Sequence, residues 1–203
     1  MDLDVFVAID VESSGFGKDA QVLEVGIAHF WKGKVVRRWS SLICPMGLSF
    51  TDEKVAAALA INKIPIESLM YSALTFKKTC ARIEMELGEP LWVAHCADFD
   101  KRMLLQEYQR MGMDDLPVKP DLFVCTKELD LLINPGERGH KLDDLVRRWG
   151  TPGGGTHRAL DDAEACGHIF AAMLEKVSLP GERFKEFYDR KQTLQWYKTM
   201  HGL

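Results

Sequence analysis

Hydrophobic positions along this chain follow two periods, short continuous runs and helical spacing, and their alternation gives a first plan. Val5-Phe6-Val7-Ala8-Ile9 is an apolar run that ends at Ser13-Ser14-Gly15-Phe16-Gly17, a turn by its glycines. Val22 to Phe30 reads as a second strand, Trp31-Lys32-Gly33-Lys34 as a hairpin connection and Val35 to Cys44 as a third strand. Three antiparallel strands therefore open the chain. Residues 51–60 and about 68–87 read as helices, with Pro65 punctuating the gap. Leu91-Trp92-Val93-Ala94 has the length of a buried strand. It leads into a helix that Asp98 can N-cap, with Leu104, Leu105, Tyr108 and Met111 on one face and Gly112 beyond its end. A short strand near Leu122–Cys125 and helices around 126–133 and 140–149 follow. Pro152-Gly153-Gly154-Gly155 breaks the chain before an amphipathic helix carrying Leu160, Ala163, Phe170, Met173 and Leu174. No repeat, low-complexity tract or linker interrupts this order, so the plan is one α/β domain.

One feature contradicts a purely structural reading of the first strand. Asp10-Val-Glu12 continues the apolar run, where a dehydrated carboxylate costs several kcal/mol or shifts its pKa to avoid ionising. Strand side chains alternate, so residues 10 and 12 share a face, roughly 6–7 Å apart. Two readings are open at this point. Either the strand ends here and both acids are solvated, or something strongly positive sits between them. Oxygen-only ligands at this spacing suit hard cations such as Mg²⁺ or Mn²⁺.

Composition narrows the class without choosing between those readings. A chain of 203 residues, 46% hydrophobic and 28% charged, suits one well-cored domain. No stretch approaches the roughly 18–20 apolar residues of a membrane span, and the N-terminus lacks a basic-then-apolar signal pattern, so no membrane partner is expected. Five scattered cysteines, never spaced C-x-x-C, argue against a zinc module and for reduced thiols in a cytoplasmic setting. A net charge of −4 provides no overall basic field. That sum changes meaning if several of the acids are metal ligands, because two divalent ions would cancel it.

Two further acids fall at element starts. Asp100 lies in the first turn of the helix after the 91–94 run, and Asp162 in the first turns of the helix after the glycine break. The helix dipole alone favours acids there. Their context is what distinguishes them: Asp100 follows a strand that reads as central, and Asp162 has His157 five residues upstream. Positions five apart on a helix lie about 140° from each other, which assigns His157 to the loop and Asp162 to the helix. A histidine beside a carboxylate cluster suits proton abstraction from water, because imidazole ordinarily titrates near neutrality. His29, His95, His140, His168 and His201 lack that setting and read as core or surface residues.

Together these segments resemble the DEDDh (DnaQ-like) exonuclease family. Asp10-Val-Glu12-Ser-Ser-Gly15, Val93-Ala-His-Cys-Ala-Asp-Phe-Asp100 and His157-Arg-Ala-Leu-Asp-Asp162-Ala are similar to its three motifs, in order. Cys125-Thr-Lys and His140-Lys-Leu-Asp-Asp-Leu look like further landmarks, and the likeness covers roughly residues 4–176. The family includes the proofreading subunit of the bacterial replicative polymerase, exonuclease X, ribonuclease T and oligoribonuclease. The resemblance implies a ribonuclease H-like fold, a mixed five-stranded sheet flanked by helices. It implies two Mg²⁺ (or Mn²⁺) ions: Asp10 bridges them, Glu12 and Asp162 serve the first, and Asp100 sits near the second. His157 matches the general base. Residues 1–178 would form the exonuclease domain and 179–203 a helical extension.

The implied activity is 3′→5′ hydrolysis at a free 3′ end of single-stranded or frayed nucleic acid, DNA favoured, releasing nucleoside monophosphates. Alternatives within the resemblance are an exoribonuclease, a short-oligonucleotide scavenger or a silent nucleic-acid-binding adaptor. Ser13, Ser14, Gly15 and Phe16 are the candidate substrate contacts. Phe16 matches a position whose side chain can wedge against the terminal bases, and it can equally be a turn residue plugging the core. Two departures stand out. Relatives usually carry asparagine where Cys96 stands, and His-Gly-Ile or Asn-Gly-Ile where Asn62-Lys63-Ile64 stands. In the tail, Phe184, Phe187 and Tyr188 fall at i, i+3 and i+4, the spacing of one packed helix face. Residues 190–203 are the candidate partner or substrate contact, and Gln192-Thr-Leu-Gln-Trp-Tyr197 is a loose match to a sliding-clamp-binding peptide, which makes a clamp or polymerase a candidate partner. Oligomeric state is not legible.

Overall fold

The computed structural model describes residues 2–89 and 91–189. Among them, six strands form one sheet in the order β4-β3-β2-β1-β5-β6. β1 (Val5–Ser13), β2 (Val22–Trp31) and β3 (Lys34–Cys44) are the antiparallel opening; β5 (Leu91–Ala94) and β6 (Leu122–Cys125) lie parallel on the other side of β1. All five expected strands are present. The sixth, β4 (Leu74–Thr75), pairs in parallel with Ile43 and Cys44 at the edge. It divides what the sequence suggested as one helix over 68–87 into α2 (Ile66–Tyr71) and α3 (Phe76–Glu86). Two residues are too few to show a period, so this strand left no signal in the pattern.

β1 is central, and its alternation divides the core. Val7, Ile9 and Val11 point into one apolar cluster with Trp92, Met103 and Leu104, contributed by β5 and α4 (Ala97–Arg110). Phe6 and Ala8 point to the opposite cluster with Phe30, Ile169 and Phe170, the last two on α7 (Ala159–Val177). Burial on both faces explains why this strand reads as a continuous apolar run instead of alternating. Phe6 stacks on Phe30 at 4.8 Å and meets Phe170 edge-on at 4.9 Å. Two glycines let α7 lie this close to the sheet. A Cβ on Gly167 would come within 2.2 Å of the Phe30 ring, and one on Gly26 within 2.2 Å of the Ala159–Leu160 backbone.

The remaining helices are α1 (Glu53–Asn62), α5 (Thr126–Ile133) and α6 (Leu142–Trp149). The Asp52 side chain caps α1 by accepting from Lys54 N at 2.9 Å. Asp98 does not cap α4. The chain leaves β5 through a left-handed Cys96 (φ 63°, ψ 47°) and begins the helix at once, so Asp98 falls inside the first turn. Residues 181–189 are helical, and Phe184 and Tyr188 are fully buried in the second cluster. The Tyr188 hydroxyl accepts from Cys125 N at 2.7 Å. The tail residues from Arg190 onward, including Gln192-Thr-Leu-Gln-Trp-Tyr197, lie outside the described residues. All five cysteines are free, and no helix among the described residues is long and apolar enough to cross a membrane.

Candidate active site

Three elements, β1, α4 and α7, deliver the predicted acids to one place, the C-terminal end of β1. Asp10 and Glu12 are strand neighbours on β1. Asp100, in the first turn of α4, is buried, and its Oδ1 accepts from Val11 N at 3.0 Å, between the two strand acids. Asp162 lies on α7; its Oδ1 accepts from Thr156 N at 2.9 Å and its Oδ2 from His157 N at 3.2 Å. That carboxylate therefore folds the end of the glycine loop back onto the helix. His157 is an exposed loop residue with a left-handed backbone (φ 59°). One ring nitrogen of His157 and one oxygen each from Glu12 and Asp162 all lie within 4.8 Å of one another.

The electrostatics of this cluster are unfavourable without a cation. Desolvation raises the Asp10 carboxyl well above its ordinary value, and the charges of Asp100, Glu12, Asp162 and Glu24 raise it further. Glu12 is pushed up to about 7 by desolvation, then by Asp162 and Glu24. Asp100 and Asp162 are also raised, mainly by burial, against the lowering effect of their backbone hydrogen bonds. Asp100 Oδ2 is buried with no hydrogen-bond partner among the described residues. A buried, unpaired carboxylate oxygen beside three more carboxylates is a fit for a hard divalent ion, and the donor set is the oxygen-rich kind such ions take.

Sequence reasoning missed the residues that hold this arrangement. Glu24 on β2 sits directly opposite Glu12 in register, and Gly26 opposite Asp10. Arg158 grips Glu24 with both arms, Nε at 3.0 Å and NH2 at 2.7 Å, and Ala159 N donates to the same carboxylate at 3.2 Å. The start of α7 is thereby anchored to β2, one residue after His157, where Gly26 leaves room for its backbone. One signal was available: Glu24 interrupts an apolar run just as Asp10 and Glu12 do.

A cavity of about 820 Å³ opens over the acids. One wall is apolar, with Phe16, Ala58, Ile61 and Phe99; another carries His95, Lys127, His140 and Lys141. Of the expected substrate contacts, Ser13, Gly15 and Phe16 line it. Ser14 does not: its hydroxyl accepts from Gln21 N at 2.9 Å inside the turn. Ser13 is likewise engaged, donating to Gly15 O at 2.7 Å. Phe16 is 77% exposed, so it does not plug the core. His95 and His140, read from sequence as core or surface, stand on the cavity wall. The His95 ring lies 3.0 Å from the Thr126 hydroxyl, and burial, with Lys127 nearby, lowers its pKa to about 4.

The model of the Exonuclease family (RNase_T) matches residues 7–170. The chain belongs to this family. The exonuclease family is divalent-metal dependent. Relatives include the 3′-5′ exonuclease DinG of Staphylococcus haemolyticus, 22% identical over 94% of this chain, and DNA polymerase III subunit epsilon of Aquifex aeolicus, 24% identical over 85% of this chain and 81% of that protein. The chain spans only 20% of DinG and 11% of the PolC-type polymerases it also matches. In structure it resembles exonuclease X in complex with 5′ overhanging duplex DNA (TM-score 0.66, 22% identity, 87% of this chain and 95% of that one). It also resembles the nuclease domain of 3′hExo, a DEDDh family member, bound to rAMP (TM-score 0.70, 15% identity, 85% and 92%). These neighbours agree with the ribonuclease H-like fold. Both departures from the family pattern fall at left-handed backbone positions, Cys96 (φ 63°) and Lys63 (φ 56°). Asparagine and glycine adopt that conformation at least cost, which is a physical reason for their use in relatives.

Proposed function

We propose that this protein is a divalent-metal-dependent 3′→5′ exonuclease that removes nucleoside monophosphates from single-stranded or frayed 3′ ends, with DNA the favoured substrate. The observation that carries the reading is the buried, partnerless Asp100 Oδ2 amid carboxylates whose pKa values are all raised. Asp10, Glu12, Asp100 and Asp162 would hold two Mg²⁺ or Mn²⁺ ions. Bound there, the ions supply Lewis-acid polarisation of the scissile phosphoryl group and ready formation of hydroxide from water.

The chain's own residues do the rest. His157, on the loop that Asp162 folds back, accepts the proton of the attacking water. The Arg158–Glu24 pair fixes the backbone beside it and screens Glu12 from Glu24. Ala58, Ile61 and Phe16 offer an apolar wall for the terminal base. The family membership and the exonuclease neighbours support this reading.

The test is digestion of matched DNA and RNA oligonucleotides labelled at the 5′ end. Mg²⁺ should give a ladder that shortens from the 3′ end, EDTA should stop it, and Mn²⁺ should restore it. His157→Ala should lose about 10²–10⁴-fold in rate while still binding metal by calorimetry. Persistence of activity in EDTA would overturn the proposal, and faster digestion of RNA would move it to the exoribonuclease reading.

A further inference from the structure

Between α6 and α7 the chain passes through Thr151-Pro-Gly-Gly-Gly-Thr156 and delivers His157 to the acid-lined cavity. Gly150, left-handed at φ 62°, ends α6, and the chain then returns to the first turn of the same helix. There Gly155 N donates to Asp143 Oδ1 at 2.5 Å. Among the described residues this is the one hydrogen bond made from Pro152 to Gly155. The next are those of Thr156 N and His157 N to Asp162. Space adjoins the loop twice. Gly155 and His157 line the acid-lined cavity, while Pro152, Gly153, Gly154 and Thr156 line another of about 450 Å³. The glycines let the loop be pinched between two helices. A Cβ on Gly153 would stand 2.9 Å from Ala165 Cβ of α7, and one on Gly155 would stand 3.1 Å from Asp143 Oδ1. Asp143 is not occupied in starting α6, because Asp144 Oδ2 takes that part by accepting from Lys141 N at 3.1 Å. The helix itself is held firmly, with Arg148 and Trp149 Nε1 both donating to the buried Asp130. Asp143 also adds to the negative charge that raises the Asp162 carboxyl, so a tether and a charge effect have to be told apart.

We propose that Asp143 is a positioning residue for His157: its carboxylate latches the glycine loop to α6 and so sets the reach of the imidazole towards the attacking water. The assignment rests on the exonuclease reading and deepens it, since it names what holds the base from the upstream side. Asp162 and the Arg158–Glu24 pair fix the backbone at and after His157. Without Asp143, the four residues before Thr156 have no hydrogen bond of their own among the described residues, and glycine restrains them least of all residue types. A base that wanders by an ångström loses rate although every ligand of the acid cluster is still in place.

The experiment is a double-mutant cycle on an eight-nucleotide oligothymidylate at saturating Mg²⁺. Asp143→Ala should lower kcat about tenfold or more, and by less than His157→Ala does. Its KM, and its Mg²⁺ affinity by calorimetry, should stay within about twofold of the wild type. Asp143→Asn keeps an oxygen for Gly155 N and drops the charge, so it should restore kcat to within about threefold. In the His157→Ala background, Asp143→Ala should cost nothing further, because the base it positions is gone. If Asp143→Ala melts early by circular dichroism, Asp143→Ser, whose hydroxyl is one bond shorter, takes its place in the cycle. An unchanged kcat in Asp143→Ala, an equal loss in Asp143→Asn, a loss confined to KM, or the same loss without His157 would each overturn the latch while leaving the exonuclease assignment intact. A wild type that does not digest the octamer removes both.

Discussion

Among the described residues, buried carboxylates are treated in two different ways. Glu86 on α3 has a fully buried side chain and accepts from His29 Nε2 at 2.9 Å, Arg37 at 2.5 Å and Arg82 at 2.6 Å. Asp130 on α5, equally buried, accepts from His140 Nδ1 at 2.7 Å, Trp149 Nε1 at 2.9 Å, Asn134 at 2.9 Å and Arg148. Both are anions neutralised by the chain's own donors, which is the usual condition for burying charge. At the end of β1 the chain does the reverse. Four acids converge, the nearest guanidinium, on Arg158, is bound to Glu24, and one oxygen of Asp100 has no donor among the described residues. The contrast shows that the deficit is local. The same sheet and helices supply counter-charges wherever the carboxylate's task is structural.

The largest test of that contrast sets one cluster against the other. Asp10→Asn or Asp162→Ala should lower exonuclease turnover by about 10³-fold or more, because transition-state charge stabilisation worth several kcal/mol goes with the ligand. Metal-free stability of Asp10→Asn should stay level or rise, since a repelling charge has been removed. Glu86→Ala should do the opposite, costing about 2 kcal/mol in urea melts by stranding its cations and donors. Its turnover per folded molecule should stay within about twofold. If Glu86→Ala abolishes turnover in a folded protein, or Asp10→Asn leaves it intact, the division of labour is wrong.

A second test asks whether an outside cation completes the acid cluster. Mg²⁺ or Mn²⁺ at about 100 times its dissociation constant should stabilise the wild type by roughly 2.7 kcal/mol, read as a shift in melting temperature. Asp10→Asn should lose most of that shift and Glu86→Ala should keep it. Equal shifts in all three proteins would place the ion elsewhere.

Much of this was legible in the sequence, for identifiable reasons. Asp10 and Glu12 announced themselves because carboxylates in an apolar run violate the patterning around them, and the strand period put them on one face. Asp100 and His157–Asp162 became readable through their order and spacing. What stayed hidden was pairing across the sheet. Nothing local says that Glu24 stands opposite Glu12, that Arg158 reaches back to it, or that Gly26 is small because α7 presses on it. The two-residue β4 and the entry of α4 through Cys96 were missed for the opposite reason: each is set by a neighbour, not by a pattern along the chain. Nor does periodicity distinguish a wall histidine such as His95 from a core one.

The smallest expected effect is the pH dependence of metal-free stability. Glu12 has a folded pKa of about 7, above its unfolded value, so between those two values the folded state binds more protons than the unfolded one. Its stabilising contribution is therefore complete below the unfolded value and is lost as pH rises through about 7. The upward shifts of Asp10, Asp100 and Asp162 act in the same direction. His95 opposes them: its folded pKa of about 4 lies below the unfolded value, so its contribution is lost as pH falls towards 4. The two slopes overlap in weak acid, and the raw profile of the wild type would hide both. Subtracting the profile of Glu12→Gln, measured in EDTA, isolates the carboxylate. That variant should gain on the wild type by on the order of 1 kcal/mol as pH rises from about 4.5 to 7, then run parallel to it. With saturating Mg²⁺ the sign should invert, because the ion favours the ionised carboxylate that the amide cannot mimic. A difference that is flat in EDTA would mean that Glu12 is already neutralised within the chain, as Glu86 is, and that the contrast between the clusters does not extend to it.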